Sequence, residues 1–516
     1  MTTRAKHILS LSILLILGML YHYKYINDFP TYIHAWAQSE RYALAFGFIR
    51  NNLNFFMPET FVMNQSFPNG WIVPTTESIT AVDFPVHDFI PALIMKITGI
   101  KSPWVFRLYI LLYSFAGLVG LFKLSYLFSK SFLKSIFIVA FASTSPIFVF
   151  YQGGFLPTIP SLSNAIIGLY FYAKYLHDYR NMNFNISILF LTLAALARIS
   201  FTIPLLAILA PEFIRIIKKV TRLKPKILPI FLAAVFILSY YFYNNYLRSE
   251  YGSMFLNQIR PATSMGQATE ILYFIFKHWF FHYYSKIHYL IFGVLIIIAL
   301  YFFSFQRLQI NKIILQFGFL ILVILSGCVI LFLLMLNQFR VHDYYFLDTF
   351  FLPSLLLLIF LLTLIPVEIS KRNKVIYGMA ALLICIPMII NAVKMQNIRR
   401  VVGPEDRTST MIKNYTGSDD FLDSIGIPRD AIMLVPGANA PNIPFILMDR
   451  KGYVIMDFNM VYIKEALLWN YDFIVTENEF FISDISIFDP EITAKIIKVA
   501  ENGKITVWKP LNNKND

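Results

Sequence analysis

Two acidic clusters share one long polar stretch, Tyr21–Pro103. The first runs His34-Ala35-Trp36-Ala37-Gln38-Ser39-Glu40-Arg41-Tyr42, the second Asp83-Phe84-Pro85-Val86-His87-Asp88. Aromatics stand among them: Phe46, Trp71 and Phe84 as well as Trp36 and Tyr42. Carboxylates and cations set among aromatics suit a reaction in which a hydroxyl gives up a proton while a phosphate leaves. A carboxylate takes the proton, and a cation or metal meets the phosphate. Glu40 or Asp83 can be that base. Arg41, Arg198, Arg340 or His342 can meet the phosphate, arginine because it is always charged and forks onto phosphate oxygens. His34, His87 and Asp88 are secondary candidates. The competing reading is that these groups are interfacial ion pairs and helix caps.

A second constellation is Phe339-Arg340-Val341-His342-Asp343-Tyr344-Tyr345, at the end of one apolar run and the start of the next. So many polar groups in one short connection exceed what a turn requires, although Tyr344 and Tyr345 also suit an aromatic belt. Arg198 is a third point, a single cation between two apolar halves. Ionisable groups near a bilayer are costly, which makes them functional candidates, but an arginine there can also simply snorkel.

The elements that must position these residues are membrane helices. The chain has 516 residues, is 57% hydrophobic and only 14% charged, and its mean hydropathy is +0.60. Soluble domains are about 25% charged. Apolar runs of near-spanning length predict about eleven transmembrane helices. They lie in Ile8–Leu20, Trp104–Phe128, Ser131–Phe150, Ser161–Tyr175, Ile186–Ala197, Phe201–Ile217, Ile227–Asn244, Tyr289–Phe305, Ile313–Leu336, Phe350–Ile365 and Val375–Ala392. The net charge of +14 is spread over short loops rather than gathered on one face, so it sets topology instead of marking a nucleic-acid partner. Cys328 and Cys385 sit inside apolar runs, with no disulfide or metal role expected.

Alternate loops hold the Lys and Arg: Lys130 and Lys134; Arg180; Arg215 to Lys226; Arg307 and Lys312; Lys371, Arg372 and Lys374. Asymmetry of this kind places the N-terminus in the cytoplasm. The stretch 21–103, a second loop 245–288 and the tail then lie outside. The first apolar run has no small-residue cleavage site after it and reads as an uncleaved helix. Residues 1–393 thus form a transmembrane domain and 394–516 a small extracytoplasmic α/β domain. Within the tail, Ala431–Pro436, Pro444–Met448, Tyr453–Met456 and Asp472–Thr476 read as strands, Thr408–Asp423 and Met460–Trp469 as helices. Lys495–Val499 and Ile505–Lys509 flank Asn502-Gly503, a type I′ hairpin signal. Tyr42–Ile49 and Phe89–Ile97 read as amphipathic helices at the interface.

No phosphate-binding glycine loop of the GxxxxGK[ST] type is present, nor HExxH, CxxC or GxSxG. An outward-facing site also disfavours a nucleotide-sugar donor, since such donors are cytoplasmic, and points to a polyprenyl-phosphate carrier.

The order of parts resembles the C-type fold of membrane glycosyltransferases, and more narrowly the bacterial family related to protein O-mannosyltransferases and lipid A aminoarabinose transferase. The residues that carry the resemblance are His34-Ala-Trp36-Ala37-Gln38-Ser39-Glu40-Arg41-Tyr42-Ala43, Asp83-Phe84-Pro85 and His342–Tyr345. It implies an inverting transfer of a sugar from a polyprenyl-phosphate donor to a glycan, lipid or protein acceptor at the outer face of a bacterial cytoplasmic membrane. Glu40 is the implied base and Asp83 the supporting acid or metal ligand. Arg198, Arg340 and His342, with Asp343 and Tyr345 beside them, are the phosphate-binding candidates. The chain departs from the family in three places. Its acid is Glu40 instead of the usual Asp, Ala37 stands for an Arg, and Phe84 for a Lys that meets the lipid phosphate. Asp28, close behind the first helix, is a rival acid. Some members use a divalent metal, for which Asp83 and a His are the residues on offer. Two other functions compete: a transporter or flippase for a lipid-linked glycan, which would want paired similar halves, and a polysaccharide polymerase or ligase.

Overall fold

A computed structural model describes residues 3–31, 33–219, 222–255, 258–305, 312–365, 371–400, 406–456, 460–487 and 489–511. Arg307 and its neighbours in that basic loop lie outside the described residues. The chain forms two compact units, Met1–Asn27 with Arg107–Tyr240 and Asn257–Ile398, and Asp28–Phe106 with Tyr241–Leu256 and Arg399–Asp516.

The first unit is helical. Each apolar run of the sequence falls in a helix. Among the described residues, 5 helices are long and apolar enough to cross a membrane: Pro103–Ser129, Ile199–Ile217, Lys224–Tyr251, Lys312–Leu334 and Ala381–Arg400. A further pair, Phe132–Ser143 and Pro146–Gln152, is bent by 72°. Leu11–His22, Asn181–Ala197, Lys286–Phe302 and Phe351–Leu364 are apolar but shorter. The chain is a multi-pass membrane protein. Two breaks in the apolar runs have local causes. At Thr144-Ser145-Pro146 the Thr144 hydroxyl bonds back to the Ala140 carbonyl at 2.7 Å, and Pro146 starts a new helix in the first-turn position that proline favours. At Arg198 the backbone turns extended (φ −148°), so Asn181–Ala197 ends there before Thr202–Ile217 begins.

The second unit is built on a five-stranded sheet from the tail. Two short strands, β1 (Asn64–Ser66) and β2 (Ile72–Pro74), pair with each other in the long loop. The main strands are β3 (Ile432–Pro436), β4 (Lys451–Ile455), β5 (Phe473–Glu477), β6 (Ile496–Glu501) and β7 (Ile505–Pro510), in the order β4-β3-β5-β7-β6. β4, β3 and β5 run parallel, and β7 and β6 close the sheet antiparallel. Only Gly503 in the last hairpin takes positive φ (82°), whereas the expected type I′ turn on Asn502-Gly503 needs positive φ at both residues. Pro444–Met448 is not a strand. It lies in helix Asn442–Met448, because an apolar run this short carries no periodicity that tells the two apart.

The edge of β4 is covered by the loop. Met63 N–H donates to the Gly452 carbonyl at 2.7 Å, and Gly452 N–H to that of Phe61 at 3.1 Å. The Asn64 amide bonds both backbone groups of Val454 at 2.8 Å, and Lys451 pairs with Glu59 at 2.5 Å. Covering an edge this way satisfies backbone groups that would otherwise recruit another strand. One apolar core follows from it, with Ala43, Phe61 and Val62 packed among Met411, Val435, Ile443, Phe445, Val454 and Val475.

Candidate active site

Helix Ala35–Arg50 carries Glu40 and Arg41 of the first acidic cluster. It is not the amphipathic interface helix that the sequence suggests. Residues on every side of it are buried, as expected of a helix enclosed by protein. It packs on helix Val86–Thr98 and on helix Asn442–Met448. The interface description suits Val86–Thr98 better, since that helix leaves Ile94 and Ile97 exposed.

Glu40 sits on the enclosed helix, 1% exposed. Its Oε2 accepts a hydrogen bond from Asn442 Nδ2 at 2.7 Å. Asn442 cannot turn its amide over without loss, because its Oδ1 accepts from Phe61 N–H at 2.9 Å. The backbone therefore fixes which end of the amide faces the acid. Glu40 Oε1 is buried without a hydrogen bond. Burial pushes the Glu40 pKa up to about 8, against the opposing pull of Asn442, Arg41 and Trp36. Desolvation is the usual way a carboxyl is tuned toward neutral pH, where a general base is most effective.

Arg41, next in sequence, joins the two clusters. Its Nη1 donates to Asp88 Oδ2 at 3.1 Å and its Nη2 lies 3.6 Å from Asp83 Oδ2. The guanidinium stacks over Phe255 at 4.7 Å. Arg41 and Asp88 are buried, whereas the Asp83 side chain is 35% exposed. Burial raises the Asp88 pKa to about 6, with Arg41 opposing and Asp83 reinforcing. Burial, with Arg41 beside it, lowers that of His87 to about 3, so His87 is neutral at physiological pH. His34 stands at the N-terminal cap of the helix in a left-handed conformation (φ 57°), with no capping bond from its side chain. Asp28 is half-buried in the irregular segment before it. Among the described residues, no three or more His, Cys, Asp or Glu side chains converge as a metal site would require, and the two acids that could begin one share the Arg41 cation.

In the helical unit, Arg198 and the His342–Tyr345 step, separate in the sequence, come together through Asp348. Arg198 forms an ion pair with Asp348 and lies 5.7 Å from the ring centres of both Tyr344 and Tyr345. His342 stacks on Tyr344 at 5.2 Å. Asp343 is fully buried and accepts from the Tyr151 hydroxyl at 2.6 Å. Arg340 is outward, paired with exposed Glu270 at 3.1 Å. Sequence reasoning missed Asp348, Tyr151 and Asn442. Asp348 was within reach of the rule for ionisables in membrane segments. Tyr151 and Asn442 carry no local signal.

No protein-family model matches the chain, and no curated protein matches it in sequence. Its structure is similar to that of ArnT from Cupriavidus metallidurans bound to undecaprenyl phosphate, with 9% sequence identity over 98% of each chain and a TM-score of 0.62. Arabinofuranosyltransferase AftD from Mycobacteria is also similar, at 12% identity over 100% of this chain and 40% of that one, with a TM-score of 0.47. The chain thus has the fold of ArnT, the C-type fold of membrane glycosyltransferases.

Proposed function

We propose that the protein transfers a sugar from a polyprenyl-phosphate-linked donor to a glycan, lipid or protein acceptor at the outer face of the bacterial cytoplasmic membrane. The N-terminus lies in the cytoplasm and about eleven helices cross the bilayer. Residues 1–393 form the transmembrane domain, and residues 394–516 lie outside the cell membrane as its extracytoplasmic part. The observation that carries the reading is a buried Glu40 held by a backbone-oriented Asn442 and tuned to about 8. The fold of a transferase solved with undecaprenyl phosphate supports it.

In this mechanism the ionised Glu40 carboxylate takes the proton of the acceptor hydroxyl. The acceptor oxygen bonds to the anomeric carbon as the bond from that carbon to the phosphate oxygen breaks. The electron pair leaves with the lipid phosphate, and the configuration inverts. Asp83 is the supporting acid, and Asp28 the alternative base. Arg41, Arg198, Arg340 and His342 are assigned to the phosphate, with His34, His87, Asp343 and Tyr345 supporting. If a divalent metal takes part, Asp83 is the residue that would hold it, and the metal would neutralise phosphate charge.

Membranes containing the protein, supplied with radiolabelled polyprenyl-phosphate sugars, should incorporate label into an acceptor. The same sugars supplied as nucleotide derivatives, with carrier-lipid synthesis blocked, should give none. Incorporation only from the nucleotide form would contradict the reading.

A further inference from the structure

Helices Thr202–Ile217, Lys312–Leu334 and Phe351–Leu364 line an open pocket of about 600 Å³ in the helical unit. Its walls are apolar, with Ile214, Phe319 and Phe360 among them. Among the described residues, its charged lining is cationic: Arg215, Lys218 and Lys312. Cavities of this size hold drug-sized molecules. Apolar walls with a cationic lining fit an amphiphile with an anionic head.

Arg215 adds a buried positive charge to this end of the site. It is only 3% exposed. Its Nη1 donates to Glu212 Oε1 at 3.3 Å, while Nε and Nη2 have no hydrogen-bond partner. The rings of Tyr175 and Tyr179 face its guanidinium at 5.3 and 4.8 Å. Glu212 cannot neutralise the group alone, because it is also paired with buried Lys226 and accepts from the Tyr172 hydroxyl at 3.0 Å. One carboxylate thus faces two buried cations, with Lys218 and Lys312 exposed nearby. Arg215 therefore adds buried positive charge behind the pocket wall, while the exposed Lys218 and Lys312 ammonium groups can meet a phosphodiester directly.

All three cavity cations sit at one end of their helices, Arg215 and Lys218 at the close of Thr202–Ile217 and Lys312 at the opening of Lys312–Leu334. This basic end is the cytoplasmic one by the charge rule, and the cytoplasmic leaflet supplies anionic lipids. We propose that the pocket binds an anionic membrane phospholipid, its phosphodiester on Lys218 and Lys312 and its acyl chains along the apolar walls. This site is independent of the sugar-transfer chemistry assigned to Glu40.

The test is native mass spectrometry of the full chain in detergent with phosphatidylglycerol or phosphatidylcholine. The wild type should retain phosphatidylglycerol preferentially. The double variant Lys218→Gln/Lys312→Gln, both exposed positions, should weaken phosphatidylglycerol retention about tenfold or more and leave phosphatidylcholine unchanged. Lys130→Gln/Arg180→Gln, which removes two cations elsewhere on the basic side, should keep the preference. Glu40→Gln should bind as wild type does. The proposal is overturned if the Lys218/Lys312 variant keeps the wild-type preference, if the control variant loses it equally, or if undecaprenyl phosphate displaces phosphatidylglycerol from the wild type in preference.

Discussion

Asn442 donates its side-chain amide to Glu40 at 2.7 Å across 402 positions of chain, and both residues are buried. The tail thereby holds the acid that the long loop supplies. Asn442 favours the ionised carboxylate, since a hydrogen bond to a charged group contributes about 1.5–3 kcal/mol. Asn442→Ala should therefore move the acidic limb of the kcat/KM–pH profile upward from its wild-type position near 8, by about one unit or more. Asn442→Asp should move it further, because a second carboxyl would oppose ionisation. An unmoved limb in both variants would mean that another group sets the profile.

Thermal stability should fall as pH rises. Burial raises Glu40 to about 8, Glu477 to about 7 and Asp88 to about 6, whereas unfolded carboxyls titrate near about 4. Between those values the folded chain holds more protons than the unfolded one. The stabilisation is complete below about pH 4 and is lost as pH passes each folded value, at about 1.4 kcal/mol per unit and group. Melting curves from about pH 6.5 to 8 should show this decline, since below that range the buried neutral His87 works in the opposite direction. Glu40→Gln should show a shallower one and melt higher than wild type at pH 9.

Arg41 answers for two acids. Arg41→Gln should cost about 3–5 kcal/mol by leaving buried Asp88 without its cation. Adding Asp88→Asn should restore part of that loss. The coupling can be measured by a double-mutant cycle on unfolding.

Gly47 lies in helix Ala35–Arg50 where a Cβ would come within 1.9 Å of the Glu59 carbonyl oxygen. Backbone on both sides leaves no room for relaxation. Gly47→Ala should destabilise the second unit although alanine favours helices. Differential scanning fluorimetry should show a lowered Tm, and proteolysis should cut the tail more readily.

The chemistry-bearing residue types of the loop were legible in the sequence, because acids and cations stand out in an apolar chain. Glu40, Arg41, Asp83 and Asp88 could be named from that contrast alone. Their arrangement could not. Arg41 links the two clusters through a tertiary contact that no spacing encodes, and Asn442 is an ordinary polar residue beside prolines. Tyr42–Ile49 reads as interfacial in the sequence because the partners of the helix that contains it, Ala35–Arg50, lie far along the chain. Its polar residues are buried by the tail helix Asn442–Met448, itself misread as a strand from a short apolar run. Apolar run length placed the helices of the first unit, but breaks such as Thr144-Ser145-Pro146 depend on local backbone bonding.

The central claim rests on Glu40 as the base. The direct measurement compares radiolabelled sugar transfer from polyprenyl-phosphate donors by wild type and Glu40→Gln membranes at matched expression. Gln keeps the shape and can still accept from Asn442, but it cannot take a proton. The account predicts transfer by wild type and a loss of at least about a hundredfold in the variant. Equal transfer by both would contradict it and return the role to Asp28 or Asp83.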